Sequence, residues 1–560
     1  MKKTLLRFVC VVIVAVMAIT SAVTLTSCKK ESGSAVSSMT VKTVSLRGIK
    51  EEGTTDEAIA LVQDAMNKIT KSLYNIQVVL ELSTADDYFA ELDEAMAIRD
   101  RVLAQEAEAS KAEASKKASI AAQSRAEAAS TSNNGHWVKS TTAESSTVEV
   151  QKTIIDENGK IQVIYPELEQ GQIDIVFLSG YGTYGEYIES KLLKPLDEYL
   201  TGNYKYLNKY INSIFLNAAV QNGATYAILN SHNLGSSRYL VVNKALAEKY
   251  GLKETDITTL DTCVDLIKSV KASEKGYVPF YADDTSVPAY AYLFGEEYGL
   301  GGYIPAKTAS DVAIRPTSIY AEENKYTKHL IAVNDLNRAG CLSTSISEND
   351  KYAVGLITSN EVAVKALAEE NYVVLLESPM AKKSNLFTGM YGISSYSKNA
   401  DAAMQIISLL NTNEEYRNLY QYGIEGIHYE LTEEGKVHRL KNDYMMDIEK
   451  TGNVFLAHPE EYMTADEIEI GKAQNVIAVR DPYFGFTYNT DTYAADIQNV
   501  KVLAKSIYDG FLTAGNASTY LANAAKTMAD NESYKKLVNT SDSSSFLNEY
   551  LEWQKATLGK

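Results

Sequence analysis

Tyr181, Tyr184 and Tyr187 recur every third residue just past the apolar run Ile173 to Leu178, interleaved with Gly180, Gly182 and Gly185. A tyrosine ring carries a flat apolar face and a hydroxyl on one rigid group, which suits a ligand with both C–H faces and hydroxyls, such as a sugar. The glycines let backbone approach such a ligand closely. With 38 Tyr against 12 Phe and 2 Trp, most tyrosines reflect composition alone, so position decides which of them could bind. In open α/β sheets ligands sit beyond the carboxyl ends of the strands, and these three fall there. Lys50 and Glu51, just after the apolar run Val41 to Ile49, belong on the same rim by the same argument.

Other chemistries lack their motifs. The chain has no Gly-x-x-x-x-Gly-Lys phosphate loop, no Gly-x-Ser-x-Gly elbow, no His-Glu-x-x-His helix and no complete calcium loop. Six histidines, His136, His232, His329, His428, His438 and His458, are scattered without metal-ligand spacing, so neither metal nor cofactor is expected. Asp283-Asp284 and Glu296-Glu297 could supply the acid and base of a glycosidase. Adjacent carboxylates are more often a solvated surface, and a surface glycoside hydrolase stays as an alternative. With 54 basic against 72 acidic residues the formal charge is -18, a surface that repels nucleic acid.

The first residues have a different task. Lys2, Lys3 and Arg7 precede an apolar stretch from Phe8 to Ile19, and Leu25-Thr26-Ser27-Cys28 follows before the chain turns polar. This is the layout of an export signal, and the last four residues resemble the bacterial lipobox. Residues 1–27 are therefore expected to be removed, leaving Cys28 lipidated, with palmitate among its acyl chains, and the protein anchored on the extracellular face of the cell membrane through a tether over 28–40. No later run approaches the apolar length of a spanning helix. Beyond Cys10 and Cys28 only Cys263 and Cys341 remain; Cys263 shares a helical stripe with Leu260, Ile267 and Val270, which favours a buried thiol over a bridge to Cys341.

The elements that must position these residues follow from periodicity. The strand Val41 to Ile49, a helix with Ala58, Ile59, Val62, Met66 and Ile69 on one face, and the strand Ile76 to Leu82 make a βαβ unit, hence a mostly parallel sheet covered by helices. Thr54 with Glu57 reads as the capping box of that helix. From Arg99 to Ser130 an Ala/Glu/Lys/Ser/Gln-rich insert has Ile120 as its one large apolar residue after Leu103. It is either a solvated helix, about 60 Å long if continuous from Ala90, or a low-complexity arm. Asn158-Gly159 between Thr147–Ile155 and Lys160–Tyr165 is a hairpin signal. Strands and helices alternate from there to a helical end after Thr492. At 560 residues the chain is too long for one core, so at least two lobes are expected.

Specific landmarks appear in order: Asp174-Ile175-Val176-Phe177, Leu193-Lys194-Pro195-Leu196-Asp197, Tyr226-Ala227-Ile228, Tyr239 to Lys244, Tyr250-Gly251-Leu252, Gly392-Ile393-Ser394, Ser397-Lys398-Asn399 and Tyr422-Gly423-Ile424-Glu425-Gly426-Ile427-His428-Tyr429. The chain resembles the extracellular solute-binding lipoproteins of ABC importers, in their carbohydrate-type branch, with Leu229 where that family usually has proline. The resemblance implies a two-lobe, type II periplasmic-binding-protein-like α/β fold with a hinge of crossing strands and the helical insertion (about 90–150) in lobe one. Lobe one would span 41–235 and 386–423, and lobe two 236–385 and 424–560. It implies capture of a sugar or oligosaccharide by lobe closure and delivery to the transmembrane subunits of an ABC permease, with no enzymatic step. Peptides or another polar solute are the alternative cargo. Carried over, Tyr181 and Tyr184 are cleft residues of lobe one, and Glu425 and Tyr429 sit near the lobe junction, Glu425 as a hydroxyl acceptor or an ion-paired hinge residue. Arg238 and Trp137 are further candidates, while Phe484 and Phe486 read as core or hinge packing.

Overall fold

The computed structural model describes residues 41–130, 153–155, 161–282, 302–304, 313–315, 325–347, 350–481, 484, 486, 492–511 and 513–558. Residues 1–27, read above as an export signal, lie outside them, as do Cys28, Trp137, Asp283-Asp284 and Glu296-Glu297. Strand β1 (Lys42–Ile49) buries Val44 and Leu46 on one face and Thr43 and Ser45 on the other. Burial of both faces is why its alternation is imperfect. Helix α1 (Asp56–Tyr74) is capped by Thr55, whose hydroxyl accepts from Ala58 N–H at 3.2 Å. The expected cap Thr54 is used elsewhere: its hydroxyl accepts from Met445 N–H and donates to Met445 O. α1 returns to β2 (Ile76–Ser83), parallel to β1 from Lys42 opposite Ile76 to Ile49 opposite Ser83.

Helix α2 (Tyr88–Ser130) is continuous. Its first turns bury Tyr88, Leu92, Ala95 and Arg99, after which every residue from Ala104 to Gln123 is exposed. Of the two readings of the insert, the solvated helix holds. Arg99, 2% exposed, is matched by Glu169 at 3.0 Å. Separately, Thr153–Ile155 and Ile161–Val163 pair antiparallel, as the Asn-Gly step requires.

Beyond the insert come β3 (Ile175–Leu178), α3 (Tyr181–Glu189) and β4 (Ala227–Leu229). The chain then builds β5 (Ser237–Asn243), β6 (Tyr277–Ala282), β7 (Leu342–Ser343), β8 (Lys351–Ser359) and β9 (Asn371–Glu377). After β10 (Met380–Ala381) it returns through β11 (Met390–Ile393), α4 (Ala400–Thr412) and α5 (Glu414–Tyr422), and later reaches β12 (Val479–Arg480). One sheet has the order β2-β1-β3-β11-β4 and the other β7-β6-β8-β5-β9. Returning β11 is antiparallel to both neighbours. The expected two-lobe fold class is present, and Leu229 closes β4 opposite Met390 without breaking it.

Each sheet has its own core, around Val44, Ile175, Phe177 and Ile407 in one and Leu240, Ile267, Phe280 and Leu356 in the other. Cys263 and Cys341 are free and buried in the second, and burial raises the Cys263 thiol to about 11. Asp174, fully buried, ties the first sheet together by accepting from Ser45 N–H at 3.0 Å and Ser397 hydroxyl at 2.5 Å.

Of residues 424–457, assigned by sequence to lobe two, Ile424, Tyr444 and Met446 pack on the first core instead, while Tyr429 and Val437 form a small cluster of their own with Tyr422. Tyr444 and Met446 are buried there, and α5 meets the segment's carbonyls through Gln421 (to Met446 O, 2.6 Å) and Arg417 (to Ile448 O, 2.8 Å). Phe484 belongs to the first core and Phe486 to the second.

Candidate functional site

Strand directions define where a solute can sit. In the first sheet β1, β2, β3 and β4 all end at one edge, which carries Lys50, Ser179 to Tyr181, Asn230 and, leading into β11, Phe387. Gly180 N–H donates to Phe387 O at 2.7 Å across it. In the second sheet β6, β8 and β9 end where antiparallel β5 begins, at Ser237 and Arg238. Residues 230–236 and 378–389 run directly between these two edges, so the carboxyl edges face one another across the hinge. Three segments cross there. β10 and β12 pair in parallel, Met380 opposite Val479. Asn385 Nδ2 donates to Leu234 O at 3.2 Å, and Asn475 donates to His232 O at 2.7 Å while accepting from Leu234 N–H at 3.0 Å.

Tyr181 opens α3 at this hinge. Its ring stands edge-on to Phe387 (5.0 Å) and Phe484 (6.5 Å), which are themselves stacked at 6.1 Å and 16°. Lys383 Nζ lies 4.3 Å over the Tyr181 ring and the Arg480 guanidinium 4.7 Å over Phe484. Burial holds the Arg480 guanidinium below its ordinary range, with Asp481 and Tyr181 opposing. The Tyr181 ring and hydroxyl on α3 thus meet two cations and two buried phenylalanines, Phe387 (2% exposed) and Phe484 (3%), from two crossing segments, so that Tyr181 and the cations are the groups at this point suited to a polyhydroxylated solute. Sequence reasoning missed Phe387, Lys383 and Arg480, because only the crossing brings them to Tyr181; an aromatic between two apolar strands was the one available signal.

The other two tyrosines support rather than face the cleft. Tyr184 is fully buried, its hydroxyl donating to Ala219 O (2.7 Å) and accepting from Tyr226 N–H (3.0 Å). Helical spacing turns it to the sheet, which corrects its reading as a cleft residue. Tyr187 stacks on Phe89 at 6.4 Å and meets Asp93 at 3.4 Å; burial first, then Asp93, pushes its hydroxyl up to about 12. Lys50 reaches Thr54 O (3.3 Å) and Asp56 (3.8 Å), and Glu51 meets Lys450 (3.4 Å), so both rim charges hold partners on their own lobe. Arg238 lies on the opposite edge, paired with Glu377 at 2.7 Å.

Glu425 and Tyr429 come together, but elsewhere. With Glu414, Glu415, Asn418 and His458 they line a cavity of about 430 Å³ built by α5 and the loop after it. None of these residues belongs to the strand-end loops, and the facing edges, where both lobes contribute, mark the site better than this cavity does. Within the Gly-Ile-Glu-Gly motif, Gly423 adopts φ 80°, and a Cβ there would stand 2.6 Å from His428 Nδ1, which accepts from Ile424 N–H at 2.9 Å. The motif therefore builds a turn. Tyr429 is buried against Tyr422 at 5.6 Å, and burial raises its hydroxyl to about 12. Among the described residues no group of three or more His, Cys, Asp or Glu could hold a metal ion, and no helix is long and apolar enough to cross a membrane.

Two five-stranded sheets joined by three crossing segments, with an aromatic and cationic cluster at the joint, define a two-lobed α/β fold. Residues 147–417 match the family described as bacterial extracellular solute-binding protein. It is similar to a carbohydrate ABC transporter substrate-binding protein of Streptococcus pneumoniae serotype 4 (strain ATCC BAA-334 / TIGR4), 24% identical over 316 residues, which is 53% of this chain and 63% of that relative. The match thus spans less than two thirds of the relative's length. Similar solved structures include an N-glycan transport solute binding protein from Streptococcus pneumoniae (18% identity, TM-score 0.47, 92% of this chain and 99% of that one). An HMO-binding, ABC-transporter-associated solute binding protein from Bifidobacterium longum infantis is another (12%, TM-score 0.46, 92% and 99%).

Proposed function

We propose that this protein captures a sugar or oligosaccharide between the facing strand edges and delivers it to an ABC permease, acting as a binding subunit with no reaction of its own. The observation that carries the reading is the Tyr181–Phe387–Phe484 cluster with Lys383 and Arg480, where two crossing segments meet α3 of the first lobe. A solute touching both edges binds the closed arrangement better than the open one, and that difference in affinity drives closure. The name of the pneumococcal relative supports a carbohydrate cargo. The lipobox-like residues before Cys28 support export and a lipid anchor on the outer face of the membrane, where a permease is within reach.

A thermal-shift and calorimetric screen of the purified protein against mono-, oligosaccharides and peptides tests the cargo, since ligand at 100-fold its Kd adds about 2.7 kcal/mol. Stabilisation by a glycan class supports the reading, and stabilisation by peptides alone replaces it with peptide capture. Mass spectrometry of the membrane-bound protein tests the anchor: a diacylated N-terminal Cys28 that disappears in Cys28→Ser is expected.

A further inference from the structure

Two arginines stand near the joint, and they are held differently. Arg238, entering β5, meets the Glu377 carboxylate at 2.7 Å. Arg480, at the end of β12, meets no carboxylate within ion-pair distance among the described residues. Its Nη2 donates to Phe484 O at 3.0 Å, and its guanidinium lies 4.7 Å over the Phe484 ring. Phe484 is buried and already stacked on Phe387, whereas Arg480 keeps part of its surface exposed. The guanidinium therefore covers the aromatic cluster on the side that solvent reaches. Tyr181 stands close enough to act on its charge, and Lys383 places a second cation over the Tyr181 ring. Burial weighs against the Arg480 charge, with Asp481 and Tyr181 opposing that effect from beyond ion-pair distance. Holding a partly desolvated cation without a paired anion costs a fold free energy, and such arrangements concentrate where a ligand makes use of them.

We propose that Arg480 binds a carboxylate of the solute, so that the captured sugar is an acidic one, of the kind that carries a uronic or sialic acid; this rests on the sugar-capture reading above. A guanidinium presents five N–H donors in one plane, and the Phe484 carbonyl takes one of them. A carboxylate matches that fork with two parallel, charge-assisted bonds, which a single hydroxyl does not supply. Tyr181, beside it, offers a ring and a hydroxyl to the rest of the sugar. The chain as a whole carries a formal charge of -18, so attraction of an anion depends on this local cation and weakens as salt screens it.

Calorimetry on the purified protein tests this with pairs of acidic oligosaccharides, uronate-containing and sialic-acid-terminated, each as the free acid and as its methyl ester. Esterification removes the charge and leaves the sugar. For one of the two kinds the free acid is expected to bind about 10- to 100-fold more tightly than its ester, and the ratio should shrink in raised salt. The preference should vanish in Arg480→Gln and persist in part in Arg480→Lys, which keeps the charge without the fork. Should the variants not fold, phenylglyoxal labelling of the unaltered protein, read by peptide mass spectrometry, decides: the free acid must protect Arg480 and the ester must not. Equal affinity for acid and ester, a preference that survives Arg480→Gln, or no protection of Arg480 overturns the inference and leaves sugar capture standing. A protein that binds no glycan, acidic or neutral, overturns both.

Discussion

His232 Nε2 lies 2.6 Å from the carbonyl oxygen of Asn385, joining the first crossing segment to the second. Nδ1 of the same ring faces Asn230 O at 2.9 Å, Phe215 packs edge-on at 5.3 Å, and the residue is 3% exposed. A closing motion in which the two segments shift past one another must carry this contact with it or break it.

Replacing His232 by Ala should destabilise the protein by about 1–3 kcal/mol, because the Asn385 carbonyl loses a buried donor. His232→Gln, which can still donate, should lose less. Denaturant midpoints of the two variants check the order; equal midpoints would mean that the ring acts only by filling space.

Tyr181→Ala should weaken solute binding about 10- to 100-fold, since it removes the face that Lys383 covers and the edge that packs on Phe387 and Phe484. Its effect on the melting temperature should be smaller than that of Tyr184→Ala, which empties a fully buried position and frees Ala219 O and Tyr226 N–H. Calorimetry and melting curves on both variants check the split between binding and support.

Gly48→Ala should cost about 1–3 kcal/mol, because a Cβ on β1 would run into the Tyr420 hydroxyl and come within 3.2 Å of Leu82. Adding Tyr420→Phe should restore part of the loss. Chemical denaturation of the single and double variants measures the coupling between them.

Stability should fall as pH drops below about 6.5, the ordinary histidine value, in part through His428. Burial lowers its pKa, and its Nδ1 must stay unprotonated to accept from Ile424 N–H. The unfolded chain then binds more protons than the folded one, so stability is lost as pH falls from the unfolded value toward the folded one. Urea midpoints between pH 7 and 5 should slope less in His428→Gln than in the unaltered protein.

The alternating α/β elements and the order of the landmarks follow from local pattern, and so were legible in the amino-acid sequence. Apolar runs such as Ile173 to Leu178 and Met390 to Ile393 specify strands because burial on both faces demands them. The solvated insert could be recognised as such, since it has no apolar stripe, though not its continuity as one helix. Only the tertiary structure decided which side chains meet. Tyr181 faces the hinge while Tyr184, one helical turn on, is spent on the sheet, because helix rotation against the core sets direction. Phe387, Phe484, Lys383 and Arg480 reach Tyr181 across about two hundred to three hundred positions of chain, and a one-residue bulge places Glu377 beside Arg238. Glu425 and Tyr429, adjacent to a sharp motif, were drawn into a separate cavity by the turn at Gly423. Spacing along a chain constrains its near neighbours; contacts between distant segments depend on register and crossing geometry, which local pattern does not encode.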